Sequence, residues 1–299
     1  MSSFTAYVRV ARAPFLLLPP TLVASGAAAS AWDGAFSWTR TLLAVVGLVV
    51  LHMAVNILNE WSDLRSGIDL ETERTPFSGG SGTLPAGGLR AGEALVFGIA
   101  SVAIGLAIGV WFLTRVGWIL LPVGVAGAIC VLAYTEVFAR MGIGEAAAGF
   151  GLGAGPVIGA ALVQEGSWSR AATAAAIPAF FMTFNLLLLN EFPDETPDRK
   201  GGRRNLVILL GRKPAAWIYV LAGLAVPLSI VTSVVMGVLP APCLAAVLPS
   251  LLLVKPLRWV FDDPETPVPI PALGANVAWN LATNTMIAVT LVVAIYFRG

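Results

Sequence analysis

Apolar residues fill this chain in long unbroken runs rather than in the alternation of half-buried strands, and polar residues gather in the short gaps between the runs. Nine runs can be marked, at about 14–31, 40–60, 92–113, 116–134, 146–163, 170–190, 214–236, 238–254 and 277–297. Each is close to the roughly 20 residues a helix needs to cross a bilayer core of about 30 Å. A helix satisfies its own backbone groups in hydrocarbon, whereas a barrel would need short alternating segments. The pattern therefore predicts an all-α integral membrane fold of nine transmembrane helices, with residues 1–299 forming a single polytopic membrane domain. The Pro19-Pro20 pair is expected to kink or break the first helix.

Composition agrees with this reading: 57% of residues are hydrophobic, 12% are charged and the mean hydropathy is +0.84, which no water-facing surface tolerates. The two cysteines, Cys130 and Cys243, each lie inside an apolar run and give no disulfide framework. With Lys+Arg 18 against Asp+Glu 17, there is no reason to expect a nucleic-acid partner.

The position of the charges is more informative. A cytoplasmic N-terminus puts 14 basic residues inside, from Arg9 and Arg12 through Arg203, Arg204 and Arg258, and leaves only Arg40, Arg115, Arg170 and Arg298 outside. That split follows the positive-inside rule and predicts a multi-pass membrane protein with even-numbered helices ending in the cytoplasm, for which a bacterial plasma membrane is the expected location. The first run also carries the charge and small-residue pattern of a cleavable signal peptide; it is read here as a retained helix.

Nine of the 17 acidic residues fall in two short stretches, Glu60 to Glu73 and Glu191 to Asp198, and both follow even-numbered helices. The two echo each other: Asn59-Glu60-Trp61-Ser62-Asp63 and Asn190-Glu191-Phe192-Pro193-Asp194 are offset by 131 residues, or four helices. If each helix continues past its apolar run, Asn56, Asn59 and Asp63 share one face, and so do Asn190, Asp194 and Asp198. Carboxylates beside an amide carbonyl are the hard oxygen ligands that Mg²⁺ prefers, and an incomplete protein shell leaves room for phosphate oxygens and water. His52 is the single histidine, too little for a zinc site.

Charge arithmetic points the same way, because four aspartates bring about −4, two Mg²⁺ about +4, and a diphosphate of about −3 is left for arginines to meet. Arg74 follows the first stretch, and Arg199, Lys200, Arg203 and Arg204 follow the second. Between Arg74 and Gly82 runs Thr75-Pro76-Phe77-Ser78-Gly79-Gly80-Ser81, a glycine-rich loop able to bring backbone N–H groups close to phosphate.

At these residues the chain resembles the UbiA-type intramembrane prenyltransferases, and the resemblance extends over nearly its whole length. Asn59 to Asp63 with Gly67-Ile68-Asp69 is similar to the first Asp-rich motif of the branch that prenylates 1,4-dihydroxy-2-naphthoate. Asn190 to Asp198, followed by Gly202-Arg203-Arg204-Asn205-Leu206, is similar to the second. Tyr134-Thr135 and Gly142-Ile143-Gly144-Glu145 resemble that branch's signature after the fourth helix. Glu60 stands where the family more often has Asp, and Gly67 where other branches carry a carboxylate.

The resemblance implies Mg²⁺, two ions, held by Asn59, Asp63, Asp69, Asn190, Asp194 and Asp198, with Asp63, Asp69, Asp194 and Asp198 central to catalysis. It implies substrate contacts from Arg74, Ser78, Tyr134, Arg140, Lys200, Arg203 and Arg204, a polyprenyl diphosphate donor and an aromatic acceptor, most often 1,4-dihydroxy-2-naphthoate. Glu145 is a further candidate, since a carboxyl at the edge of an apolar run is costly unless paired. The spacing of Gly151, Gly155 and Gly159 suits close helix packing. Other acceptors, such as 4-hydroxybenzoate or homogentisate, share the same chemistry. A secondary transporter is the rival from another class, but its ionisable residues should cluster at midplane rather than at helix ends. A lipid phosphatase would need a better-placed histidine than His52.

Overall fold

The computed structural model describes residues 3–298, and among these the regular structure is all helical, without a strand. Nine helices are long and apolar enough to span a bilayer: α1 (Ala13–Trp32), α2 (Trp38–Ser66), α3 (Ala91–Val116), α4 (Trp118–Met141), α5 (Gly144–Glu165), α6 (Arg170–Glu191), α7 (Arg212–Val235), α8 (Ala241–Asp262) and α9 (Ile270–Arg298). The protein is thus a multi-pass integral membrane protein. A short helix, Ser3–Val10, precedes α1.

Several helices outrun their apolar stretches because polar caps, not hydropathy, decide where they stop. Ser37 and Ser169 cap α2 and α6 by accepting from Arg40 N and Ala172 N. Helix α2 continues through Asn59 and Asp63 until Gly67, whose φ of 82° closes it. The Pro19-Pro20 pair does not break α1: a 3₁₀ turn at Ala13–Leu17 hands over to the α-helix at Leu18, and both prolines occupy the first turn, where no N–H is needed. Most of α8, Ala241–Leu253, is wound as a 3₁₀ helix carrying Pro242 and Pro249.

Helix α2 packs along α3, α1 against α5 and α9, α6 against α7 and α5, and α8 against α9, so that α9 closes the bundle onto α1. Lipid tails are as apolar as leucine, so helix association here relies on close approach and interhelical hydrogen bonds. Both are present. A Cβ on Gly26 of α1 would sit 2.2 Å from the Val157 carbonyl oxygen of α5, so only glycine permits that crossing. Asn185 of α6 donates to Tyr219 O of α7 (2.9 Å), Tyr219 Oη donates to Asn276 Oδ1 of α9 (3.0 Å), and Asn276 donates back to Asn185 O (3.0 Å). Leu42, Val96, Leu228 and Val292 point outward, where hydrocarbon would cover them.

Candidate active site

The acidic stretches meet at one end of the bundle. Asn59 and Asp63 lie one turn apart on α2, and Asn59 Nδ2 donates to Asp63 Oδ2 (2.9 Å). Gly67 then turns the chain into the short helix Ile68–Glu71, which buries Asp69. The second stretch departs from the continuous helix that its spacing suggested. Helix α6 stops at Glu191, residues 192–194 form a turn, and Asp198 sits on a separate helix, Glu195–Lys200. Pro193 is the physical reason: it has no N–H to continue the ladder of α6. The chain restarts with Asp198 N donating to Asp194 O (2.9 Å).

Arg203 joins the two stretches. Its guanidinium pairs with Asp63, donates to Asn59 Oδ1 (2.9 Å) and reaches Asp198 Oδ1 at 3.4 Å. Asn205 donates to the other oxygen of Asp198 (3.1 Å) while capping the helix Leu206–Leu210 through Ile208 N. Burial works against a charged guanidinium, yet Asp63 and Asp198 outweigh it and hold the Arg203 pKa above its ordinary value. Burial raises Asp69 to about 7, with Asp63 and Glu60 adding to it, and raises Asp194 to about 7, with Asp198 beside it. Asp198 rises to about 6, again chiefly by burial, with Arg203 opposing.

The glycine-rich loop folds over this cluster. Gly79 N donates to Asp194 Oδ2 (3.2 Å), and Ser81 gives its N–H and its hydroxyl to the two oxygens of Glu60, both at 2.6 Å. Thr75 and Ser78 tie the loop to itself, their hydroxyls 2.9 Å apart. Arg74 donates to Asp69 O (2.7 Å).

Beneath the cluster opens a cavity of about 580 Å³, walled mainly by leucine, valine, alanine and glycine, with its charged groups gathered at the acidic end and a few neutral polar side chains, His52, Asn56, Thr183 and Asn280, elsewhere in the wall. Asn59, Asp63, Asp69, Ser78, Tyr134, Asn190, Asp194, Asp198 and Arg203 all line it. Four candidates do not. Arg74 is engaged with the loop, Arg140 pairs with Glu136 at 3.6 Å, Lys200 pairs with Glu71, and Arg204 points to solvent, its backbone N–H held by Ala139 O (2.9 Å). Glu145 caps rather than lines: its carboxylate accepts from Leu206 N (2.6 Å). Gly151, Gly155 and Gly159 line the cavity, and a Cβ on Gly151 would sit 2.8 Å from Cys130 Cβ, so close packing on α4 accounts for one of the three.

Tyr134 opens a π-helical turn, Tyr134–Phe138, and a second, Phe150–Ala154, interrupts α5 at Leu152; the two stand on either side of the cavity wall. Three lining residues stand outside the set of site residues that the resemblance implies. Arg12, with a left-handed φ of 51° that is rare for a non-glycine residue, donates to Phe77 O (3.2 Å) and lies over the Phe15 ring at 4.6 Å. Glu191 keeps one oxygen without a partner, and Asn56 donates to Ala11 O (3.0 Å). A charge counted for topology gives no sign that it turns inward, so Arg12 was legible only as a positive-inside residue.

The donor set is tested for Mg²⁺ by the oxygens it leaves open. Asp69 Oδ2 and Asp194 Oδ1, one from each stretch, are buried without a hydrogen-bond partner, which is costly for a carboxylate unless something cationic or protic meets it. Among the described residues no three His, Cys, Asp or Glu side chains converge into a ready-made ion cage. That suits an ion held by one or two carboxylates plus phosphate and water, as Mg²⁺ usually is, so the residues fit the group.

Comparison with known proteins agrees with the architecture. A chain of Bacillus subtilis (strain 168) named 1,4-dihydroxy-2-naphthoate octaprenyltransferase is 26% identical over 254 residues, covering 83% of this chain and 79% of its own. Digeranylgeranylglyceryl phosphate synthase of Natronomonas pharaonis is 26% identical over 84% of this chain and 88% of its own. A UbiA homolog from Archaeoglobus fulgidus, solved bound to GPP and Mg²⁺, superposes with a TM-score of 0.65 at 14% identity over 95% of this chain and 99% of that one. The profile of the UbiA prenyltransferase family matches residues 17–281, taking in both acidic stretches, Arg203 and most of the cavity they face; the chain is a prenyltransferase that belongs to this family.

Proposed function

We propose that the protein transfers a polyprenyl group from polyprenyl diphosphate to an aromatic acceptor, 1,4-dihydroxy-2-naphthoate, in menaquinone biosynthesis. The observation that carries the reading is that two acidic stretches, bridged by Arg203, sit at the charged end of a mainly apolar cavity. Asn59, Asp63, Asp69, Asn190, Asp194 and Asp198 would hold Mg²⁺, two ions, against the diphosphate. Bound Mg²⁺ supplies charge neutralisation on the departing diphosphate.

The chain's own residues do the rest. Arg203 and Arg12, both at the cavity wall, offer N–H donors to diphosphate oxygens, where charge gathers as the allylic C–O bond weakens. The loop over Asp194 brings Gly79, Gly80 and Ser78 close to the same oxygens. The apolar walls take the prenyl tail, worth about 0.8 kcal/mol per buried CH₂, and exclude water that would quench a cation-like carbon. The electron-rich ring then attacks that carbon; with the naphthoate, the ring carboxylate leaves as carbon dioxide. The name of the Bacillus relative supports this acceptor, and the Archaeoglobus homolog bound to GPP and Mg²⁺ supports the donor and the ion. The distribution of basic residues supports a site facing the cytoplasm, and cysteine labelling from each side of sealed vesicles tests it.

The deciding experiment is mass spectrometry of products after incubation in detergent with Mg²⁺, prenyl diphosphates of several lengths and a set of acceptors. A prenylated, decarboxylated naphthoate is the expected result. A prenylated hydroxybenzoate or a prenyl ether of a glycerol phosphate would move the protein to another acceptor, and no transfer to any acceptor would reject the reading.

A further inference from the structure

The inner face of α2 carries polar residues well below the acidic end. Asp63, Asn59, Asn56 and His52 follow at spacings of four, three and four residues and all line the cavity. At about 1.5 Å per residue, His52 stands roughly 10 Å deeper than Asn59. It is 6% exposed, and its Nδ1 has no hydrogen-bond partner in the protein. On α2 the lining residues around it, Leu48, Leu51 and Val55, offer nothing polar, and the nearest charge is the Arg12 guanidinium.

Nδ1 is closed off inside the wall, so a ligand in the cavity meets the ring through Nε2, which no hydrogen bond among the described residues occupies, and such a bond is favourable in an apolar surround. The two substrates of the proposed reaction differ in what they bring to this depth. The diphosphate belongs with Arg203 and the aspartates, and the prenyl tail is hydrocarbon with no hydrogen-bonding group. A hydroxyl on the aromatic acceptor is the group that answers an imidazole nitrogen in an apolar wall. We propose that His52, with Asn56 one turn above it, is the acceptor-recognition site: a ring hydroxyl of the acceptor hydrogen-bonds to the imidazole, which orients the ring toward the prenyl carbon beneath the diphosphate. The inference rests on the prenyl-transfer reading and deepens it, because it assigns the acceptor a phenolic or quinol hydroxyl and a place on α2.

The echo of the two motifs sharpens the assignment. Asn59 and Asn190 correspond, but three residues before Asn190 the second stretch has Leu187, and seven before it Thr183, whose hydroxyl is already given to the Leu152 carbonyl (2.7 Å). The α2 side alone therefore presents an unpartnered polar ring at this depth.

The test compares wild type with His52→Phe and His52→Gln in detergent, reading KM for donor and acceptor separately, equilibrium binding of the acceptor without donor, and thermal stability. His52→Phe is expected to raise the acceptor KM and its dissociation constant at least about ten-fold while leaving the donor KM within two-fold. His52→Gln, which keeps a polar group, is expected to recover most of that loss. Wild type should also prefer a hydroxylated acceptor over its O-methyl ether by a similar factor, and His52→Phe should lose the preference. Unchanged acceptor binding in a stable His52→Phe protein, or a rise in donor KM or a change in accepted prenyl length instead, would overturn the proposal. If His52→Phe does not fold, the wild-type protein decides alone: equal affinity for the hydroxylated acceptor and its O-methyl ether would overturn the proposal. Absence of transfer by wild type to any aromatic acceptor would instead reject the function on which the proposal stands.

Discussion

Arg203 forms a buried ion pair with Asp63, joining residues 140 positions apart and tying the second acidic stretch to the first. Both side chains are mostly shielded, at 17% and 10% exposure, so the pair stands in place of solvent as the counter-charge of the cluster. Removing one partner of such a pair leaves the other charge buried alone, which typically costs about 3–5 kcal/mol. Arg203→Ala is therefore expected to lower the melting temperature of the substrate-free protein and to cut turnover at least 100-fold. Thermal scans in detergent and a product assay check both. Arg203→Lys should regain part of the stability but little of the activity, because an ammonium cannot reach Asn59, Asp63 and Asp198 together.

The raised pKa values set a pH dependence. In the folded, ion-free protein Asp69 and Asp194 hold their protons up to about 7 and Asp198 up to about 6, against about 4 in an unfolded chain. The folded state thus binds more protons across that window, and ion-free stability is expected to fall as pH rises from about 4 to 7. A metal needs the deprotonated oxygens, so Mg²⁺ affinity in the presence of a diphosphate should rise over the same range and level off above about pH 8. Calorimetric titration of Mg²⁺ between pH 5.5 and 8.5 gives the slope; a flat profile would contradict the assignment of Asp69 and Asp194 as ligands.

The open oxygens distinguish ligands from neighbours. Asp194 has one oxygen on Gly79 N and the other without a partner, whereas both oxygens of Glu60 are taken by Ser81. Asp194→Asn keeps the size and removes the charge, and it is expected to reduce kcat at least 100-fold with little effect on folding. Glu60→Gln should act through the loop instead, lowering stability and raising the donor KM while kcat changes less than ten-fold. Equal loss of kcat in both variants would contradict the distinction.

Much of this was readable from the chain because membrane helices are written in long apolar runs, and the stripe of Asn59 and Asp63 follows from helical spacing alone. The break in the second stretch is hidden by its spacing: Asn190, Asp194 and Asp198 are spaced as on one helix, but Pro193 ends α6 and Asp198 reaches the cavity from a second short helix. Arg12 escaped notice because its inward turn depends on a left-handed backbone and on Phe77, 65 residues away. Arg74, Arg140, Lys200 and Arg204 follow the acidic stretches or the fourth helix in sequence but do not line the cavity. Basic residues near an acidic motif are equally suited to pair with surface acids, as Arg140 does with Glu136 and Lys200 with Glu71.

Gly79, Gly80 and Gly82 of the loop over the cluster all have left-handed φ and close contacts, and Gly80 is the one that meets Asp69. Gly80 has a φ of 71°, and a Cβ there would lie 2.9 Å from Asp69 Oδ1; Gly87 has a similar φ of 68° with no atom within 4 Å. Alanine at either position carries the left-handed penalty of about 1–2 kcal/mol, so the backbone cost is shared and the contact is not. Gly80→Ala must also displace the loop from Asp69, and a shift of a few tenths of an ångström moves Ser78 and Gly79 with it. Both variants are expected to lose comparable thermal stability, but only Gly80→Ala should raise the donor KM, by about five-fold or more, and weaken Mg²⁺ binding in the presence of diphosphate. If Gly87→Ala raised the donor KM equally, the effect would belong to loop strain in general, and the contact between Gly80 and Asp69 would have no separate role in holding the diphosphate end.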